Sequence, residues 1–134
     1  MKLKSYLVFN GNAEEALNFY AEVFNGTKSD ILRYKDCPDE ETPVGYENKI
    51  ILSNLNFNGC TIGMADTLPS MKADFGSLWH ATAIFCDTEQ QLNDIYTKLS
   101  FGGQIKCELC NPSFAKLYSE VLDKFGVLWG LILE

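Results

Sequence analysis

The apolar positions between Asn10 and Gly26 recur at the spacing of one face of an α-helix. Asn12 is a favoured residue before the first turn, and Glu15 three residues later completes the pattern of a capping box. Asn25 and Gly26 supply the left-handed conformation that commonly ends a helix. The pattern therefore predicts one amphipathic helix with both ends marked. Its apolar face consists of Ala13, Ala16, Leu17, Tyr20, Val23 and Phe24.

A weaker copy of this segment lies at residues 88–103. There Leu92, Ile95, Tyr96, Leu99 and Gly102 correspond to Ala16, Phe19, Tyr20, Val23 and Gly26 at one constant offset. Apolar and polar runs around both helices are typical of strands. We predict strands at 3–10, 27–35, 48–57 and 60–66, and again at 78–86, 104–110, 114–122 and 127–133. The order strand–helix–strand–strand–strand occurs twice, which predicts an α+β fold of two βαβββ modules.

The connections between these elements mark turns and one seam. Asn58-Gly59 is a strong two-residue hairpin signal. The segment 36–47 carries two prolines and five acids, which predicts a solvated loop. Residues 67–76 form a polar connection between the two halves. We therefore predict a single domain of two repeats, at about 1–70 and 77–134, whose eight strands form a curved mixed sheet around a groove.

Composition and charge narrow the possible partners and the location. A chain of 134 residues with 46% hydrophobic content can bury a substantial core. The net charge of −7 argues against nucleic acid and against an anionic membrane surface as partners. No apolar run approaches the roughly 18 residues of a spanning helix, and the N-terminus does not match a signal peptide. We expect a cytoplasmic protein whose five cysteines are free thiols.

Three motifs carry a resemblance to a known superfamily. They are Tyr6-Leu-x-Phe-Asn-Gly-Asn, then Glu15-Ala-Leu-Asn-Phe-Tyr-x-x-Val-Phe, and finally Asp123-Lys-Phe-Gly-Val-x-Trp129. With the repeated element order, they resemble the vicinal oxygen chelate superfamily of glyoxalase, bleomycin-resistance and dioxygenase folds, in its PhnB-like branch. The resemblance implies a glyoxalase-like curved sheet around a cavity, usually completed in a homodimer. For members that are enzymes, it implies a divalent metal held by His, Glu or Gln from four strands.

The metal-ligand positions of the superfamily do not carry competent side chains here. Carried over by position, the first ligand falls on Ser5, the second on Gly63 and the fourth on Gly130. The third falls near His80, the only histidine. A catalytic zinc typically needs three protein ligands, and glycine has no side chain to offer. We therefore expect no metal and no cofactor.

Two further groups of residues leave alternatives open. His80 is either a hydrogen-bonded imidazole at a strand edge or groove wall, or a ligand contact or general base in the groove. Cys107-Glu-Leu-Cys110 has the spacing of half a zinc site or of a redox pair. Because no second pair follows and the segment is predicted as a strand, we expect two unlinked thiols without zinc or a functional disulfide.

Alternation along the strands sorts the candidate groove residues. If Gly130 faces the groove, so do Leu128 and Ile132, while Trp129 faces the helices. If Ser5 faces the groove, so do Leu7 and Phe9. The groove is then mainly apolar with few polar points, as in small-molecule sites, unless the protein's own side chains fill it. The candidate ligand-binding residues are Ser5, Leu7, Phe9, Gly63, Trp79, His80, Leu128 and Gly130.

Three functions are compatible with these patterns. The first is a metal-free protein that binds a small, apolar or aromatic ligand. The second is a lyase, isomerase or dioxygenase that uses a metal in a rearranged site or His80 as a base. The third is an interaction module with a vestigial groove. The sequence assigns neither catalytic residues nor the identity of the ligand.

Overall fold

A computed structural model of the chain describes residues 1–37, 41–74 and 81–134. Two of the predicted site residues, Trp79 and His80, therefore lie outside the described residues. The chain forms two compact units, Met1–Ala73 and Asp74–Glu134, and each is described by itself. Within the described ranges, no helix combines the length and apolarity needed to cross a membrane.

Both units contain the predicted elements in the predicted order. The first unit has β1 (Tyr6–Phe9), α1 (Ala13–Val23), β2 (Thr27–Arg33), a 3₁₀ turn (Tyr34–Asp36), β3 (Ile50–Phe57) and β4 (Cys60–Asp66). The second has β5 (Thr82–Phe85), α2 (Glu89–Ser100), β6 (Gln104–Cys110), β7 (Leu117–Leu122) and β8 (Leu128–Leu133). The first strand of the first unit is shorter than predicted, and β4 and β6 match the prediction residue for residue. Residues 78–80 of the strand predicted at 78–86 lie outside the described residues.

Each unit builds one four-stranded mixed sheet with the same topology. The strand orders are β1-β4-β3-β2 and β5-β8-β7-β6, and in both the first strand runs parallel to the last. The remaining neighbours are antiparallel. The prediction that the first strands of both halves occupy equivalent places is confirmed for the described residues. The eight strands form two separate sheets there, and not one continuous sheet.

A residue from a distant strand, and not Asn12, accepts the hydrogen bond of the first backbone N–H group of α1. Asn12 makes no side-chain capping bond, so the predicted capping box is wrong. The carboxylate of Asp66, buried at the end of β4, accepts from the backbone N–H of Ala13 at 2.9 Å. Its other oxygen accepts from the N–H of Ile50 at 3.0 Å. An ionised side chain brought from a distant strand is a stronger acceptor for the helix N-terminus than a neutral amide.

At the other turns and helix ends, local residues provide the required backbone conformation or hydrogen bond. The hairpin residues Asn58 and Gly59 both have positive φ, 44° and 74°, as a type I′ turn requires. The helix stop is made by Asn25, whose φ is 49°. The Thr88 hydroxyl caps α2 by accepting from the N–H of Gln91 at 3.1 Å. Gly126 has a φ of 86° in the turn before β8.

The Asp123 motif of the second unit is a structural turn. The buried Asp123 carboxylate accepts from the N–H groups of Phe125 and Val127 at 2.8 and 3.0 Å. It also accepts from the indole Nε1 of Trp129 at 2.8 Å. Three donors on one buried carboxylate hold the turn and orient the largest core side chain of this unit.

In each unit, one face of the sheet packs against the helix. In the first unit this face carries Leu7, Phe9, Met64 and Leu55, all nearly inaccessible to solvent. In the second it carries Trp129, as the alternation predicted, together with Leu131 and with Val121 and Ser119 from β7. The other side of β8 is only half-buried.

The prediction for Leu7 and Phe9 is wrong. They lie on the helix side, paired with Met64 and Asp66, because Asp66 must point toward α1 to cap it. Tyr6 and Val8 are the β1 residues on the opposite face, and each is 40% exposed. Ser5 is exposed and precedes β1, so it is no reference point for the alternation in that strand.

Candidate functional site

The two glycines at the superfamily's ligand positions occupy equivalent places in the two sheets. Gly63 of β4 is paired with Tyr6 of β1 and with Asn54 of β3. Gly130 of β8 is paired with Ala83 of β5 and with Glu120 of β7. Paired residues point to the same side of a sheet, so both glycines lie on the face opposite their helix.

The protein's own side chains fill the space over Gly63. A Cβ built on Gly63 would lie 2.5 Å from ring atoms of Tyr6. The Nζ atom of Lys4 lies 4.7 Å from the centroid of that ring and donates to the Tyr6 hydroxyl at 3.2 Å. Lys4 also donates to the side-chain oxygen of Asn54, whose amide donates to Asp30 at 2.5 Å. This face of the first sheet is therefore covered by a connected polar network around one tyrosine ring.

The space over Gly130 is open by comparison. Among the residues that the structure describes, a Cβ built there would meet only Ala83, at 3.9 and 4.0 Å, which is ordinary van der Waals contact. The backbone at Gly130 also does not adopt a positive φ. We call the surrounding side of the second sheet the Gly130 face. It comprises Ala83, Phe85, Cys107, Cys110, Tyr118, Glu120, Leu122, Leu128, Gly130 and Ile132.

One carboxylate and one phenol provide the polar part of this face. The Tyr118 hydroxyl donates to Oε1 of Glu120 at 2.6 Å. This hydrogen bond, with burial and the charge of Glu120, raises the pKa of Tyr118 to about 12. Tyr118 is therefore a neutral donor at physiological pH, and it orients the carboxylate next to Gly130. The ring of Phe114 packs edge-on against Tyr118, with centroids 5.1 Å apart.

Two cysteines lie at the border of the Gly130 face. The Sγ atoms of Cys107 and Cys110 are 3.9 Å apart, and both thiols are free. Residues three apart in a regular strand point to opposite sides. Here three residue steps of β6 match two of β7, since Cys107 pairs with Glu120 and Cys110 with Tyr118. This bulge brings both thiols to one side.

The described residues at the predicted metal positions do not fit a metal. Gly63 and Gly130 offer no side-chain donor, and the Tyr6 ring occupies the space over Gly63. Within 1–37, 41–74 and 81–134, no three or more His, Cys, Asp or Glu side chains are grouped to hold a metal ion. No reaction step at these positions is therefore assigned to a metal.

The structure brings together only part of the predicted site. Leu128 and Gly130 share a face, Gly63 lies in the other sheet, and Leu7 and Phe9 belong to the core. The residues missing from the prediction are Tyr6, Tyr118 and Glu120. Strand pairing places them beside the glycines, and this pairing depends on register, which the sequence pattern alone does not specify.

Comparison with known proteins identifies the relatives of this chain. The model of the 3-demethylubiquinone-9 3-methyltransferase family matches residues 1–132. Protein YjdN of Escherichia coli K12 is 26% identical over 140 aligned positions, covering 96% of this chain and 92% of YjdN. The solved structure of the PhnB protein of Bacillus cereus is 29% identical, with a TM-score of 0.81 and full coverage of both chains.

A more distant structure shows the breadth of the fold. A member of the glyoxalase/bleomycin resistance protein/dioxygenase superfamily from Sphaerobacter thermophilus covers 100% of this chain and 98% of its own. Its TM-score is 0.64 at 14% identity, which is a likeness of fold alone. The chain thus belongs to the 3-demethylubiquinone-9 3-methyltransferase family, with a PhnB protein among its relatives and a fold like that of the glyoxalase/bleomycin resistance protein/dioxygenase superfamily.

Proposed function

We propose that this chain is a metal-free small-molecule-binding protein whose ligand lies over Gly130. The observation that carries this proposal is the difference between the two equivalent glycines. Gly63 lies beneath the Tyr6 ring, whereas a Cβ added at Gly130 would meet, among the described residues, only Ala83, at 3.9 Å. A glycine without such a neighbour leaves room for a ligand to contact the backbone of the sheet.

The chemistry of the Gly130 face supports one class of ligand. Ala83, Phe85, Leu128 and Ile132 offer apolar surface, and Phe85 is 62% exposed. Glu120 accepts one hydrogen bond from Tyr118, and a carboxylate has acceptor sites for more. A flat apolar or aromatic compound that carries an amine or another hydrogen-bond donor matches this combination.

A ligand screen by thermal shift tests the proposal. We expect aromatic amines to raise the melting temperature of the native protein, because binding to the folded state alone stabilises it. Gly130→Leu should abolish the shift by filling the space over the sheet. Thr61→Leu, an exposed change on the other sheet, is the matched control and should retain it. Equal shifts in Gly130→Leu and wild-type protein would refute binding at this face.

The absence of a catalytic metal is the second part of the proposal. Ser5 offers only a neutral hydroxyl, and Gly63 and Gly130 offer no side-chain ligand. Purified protein should therefore contain no stoichiometric divalent metal, and added Ni²⁺, Zn²⁺ or Mn²⁺ should leave its melting temperature nearly unchanged. A divalent ion retained through gel filtration would instead favour the metal-dependent lyase, isomerase or dioxygenase.

The name of the family suggests one further compound for the ligand screen. It names a methyltransferase, and methyl transfer requires a methyl donor such as S-adenosylmethionine. We therefore include this compound among the ligands. A shift that S-adenosylmethionine produces and Gly130→Leu leaves unchanged would favour methyl transfer at another site over the proposed binding function.

We also propose that the protein works in the cytoplasm. The chain has five cysteines, an odd number that cannot all form disulfides within one molecule. Free thiols are typical of a reducing compartment. Fractionation of the native host should recover the protein with cytoplasmic markers, and recovery with secreted proteins would contradict this location.

A further inference from the structure

The cysteine pair of β6 is a feature that the proposed function does not use. Cys110 is exposed and Cys107 is half-buried, so solutes can reach the pair. The chain offers three other cysteines, and the structure gives none of them a second sulfur as a neighbour among the described residues. The pair exists because the β6 bulge turns both side chains to the side of Glu120 and Tyr118.

The separation of the two sulfurs indicates whether the pair is better suited to forming a disulfide or to binding a metal ion. A disulfide needs sulfurs about 2.05 Å apart and Cα atoms within about 4.4–6.8 Å. Because Cys107 and Cys110 pair with Glu120 and Tyr118, their Cα separation is close to the roughly 6.7 Å that two residues of a strand span. That value still lies within the range for a disulfide. The sulfurs are 3.9 Å apart, so closure would require the two side chains to rotate toward each other.

One atom bridging the two sulfurs fits this separation without such movement. Metal–thiolate bonds of about 2.3 Å allow two sulfurs on a shared ion to be up to about 4.6 Å apart. The 3.9 Å between Cys107 and Cys110 falls inside this limit. Only two sulfur ligands are present, which does not suit zinc, since its structural sites are four-coordinate. Thiolates with few other ligands select soft ions such as Cu(I).

We propose that Cys107 and Cys110 form a binding site for a soft monovalent cation, with Cu(I) as the representative ion. Binding forms two S–Cu bonds and releases two thiol protons to solvent, and no electron is transferred. Glu120 is paired with Cys107 across the strands, and its carboxylate favours a cation on this side of the sheet. The site lies at the border of the Gly130 face and does not depend on ligand binding there.

Competition with a chromophoric Cu(I) chelator, bathocuproine disulfonate, tests this site on the full chain under anaerobic, reducing conditions. We expect the wild-type protein to remove one Cu(I) per chain from the chelator. Cys107→Ser and Cys110→Ser should each weaken binding by more than the roughly 10- to 100-fold that loss of an outer-shell partner costs at a metal site. The double variant Cys37→Ser/Cys60→Ser is the matched control and should bind as wild type does.

Two results would overturn the proposal. One is Cu(I) retention that the Cys107 and Cys110 variants leave unchanged. The other is Zn²⁺ bound by the pair as tightly as Cu(I), which would remove the selectivity that the two-sulfur geometry predicts. Circular dichroism of each variant verifies that the fold is retained. If either serine variant is unfolded, Cys107→Ala and Cys110→Ala provide the same ligand loss without a polar hydroxyl.

Discussion

At the scale of single residues, the same residue type has opposite surroundings at two equivalent positions. Gly63 and Gly130 each lie in the last strand of their unit, between its first and third strands, and a Cβ on either would point away from the helix. The first meets a tyrosine ring at 2.5 Å and the second meets Ala83 at 3.9 Å. Close approach therefore requires glycine at position 63, whereas nothing in the described fold requires it at position 130.

Alanine substitutions at the two positions should change stability in opposite directions. Gly130→Ala should raise the free energy of unfolding by about 0.4–1 kcal/mol, because it restricts the unfolded chain without strain in the fold. Gly63→Ala should lower it by about 1–3 kcal/mol, because the added methyl displaces the Tyr6 ring. Urea unfolding of both variants provides the measurement.

Removal of the Tyr6 ring is the control for this pair. In a Tyr6→Ala background, Gly63→Ala should lose most of its cost, because the clashing ring is gone. If Gly63→Ala were as stable as the wild type, or Gly130→Ala as destabilised as Gly63→Ala, the account of the two faces would be wrong.

At the scale of elements, two buried carboxylates, one from a distant strand and one within its own turn, hold the start of a helix and a turn. Asp66, only 6% exposed, reaches from β4 to the first N–H of α1 and to the N–H of Ile50. Asp123 likewise fixes the turn before β8 through three donors. These carboxylates connect each turn or helix to its sheet, and they explain the structural part of the Asp123 motif.

Asp66→Ala should therefore destabilise the protein strongly. It leaves two backbone N–H groups without their acceptor, at a cost of about 1–3 kcal/mol for each that stays buried. Asn12→Ala is the matched control, because Asn12 is exposed and makes no capping bond. Chemical denaturation should separate the two variants by at least about 2 kcal/mol. Equal stability of the two variants would contradict the capping role of Asp66 and favour Asn12 as the cap.

At the scale of the whole molecule, each sheet ends in a short parallel strand. Among the described residues, β1 pairs with β4 alone and β5 with β8 alone. Unpaired strand edges are templates for pairing with another chain. The apolar side chains of Val8 and Phe85 on these strands are 40% and 62% exposed. We propose that two copies of the chain associate through these strands as a homodimer.

Sedimentation velocity at micromolar concentration tests this association. We expect a species of twice the chain mass of 15.1 kDa. Val8→Lys should shift the distribution toward the monomer by placing a charge on the strand. Val44→Lys is the control, since Val44 is fully exposed in a loop and its change should have no effect. A single 15.1 kDa species for the wild-type protein would contradict the homodimer.

The sequence by itself determined the elements, their order and the family. Helix periodicity and the Asn58-Gly59 turn act through neighbours within a few residues, and the repeat is a likeness between two segments of the sequence, so all three can be read from a linear pattern. The alternation in β8 also placed Trp129 correctly on the buried side. Each of these features depends on local sterics or on the fixed period of a strand or helix.

Only the tertiary structure decided which residues meet across strands. The register of β1 against β4 turned Leu7 and Phe9 into the core and set Tyr6 over Gly63. The bulge in β6 joined two cysteines that a regular strand would keep on opposite sides. A shift of one residue reverses the side of every residue in a strand. Register arises from packing between distant segments, and so the open space over Gly130 could be located only in the folded chain.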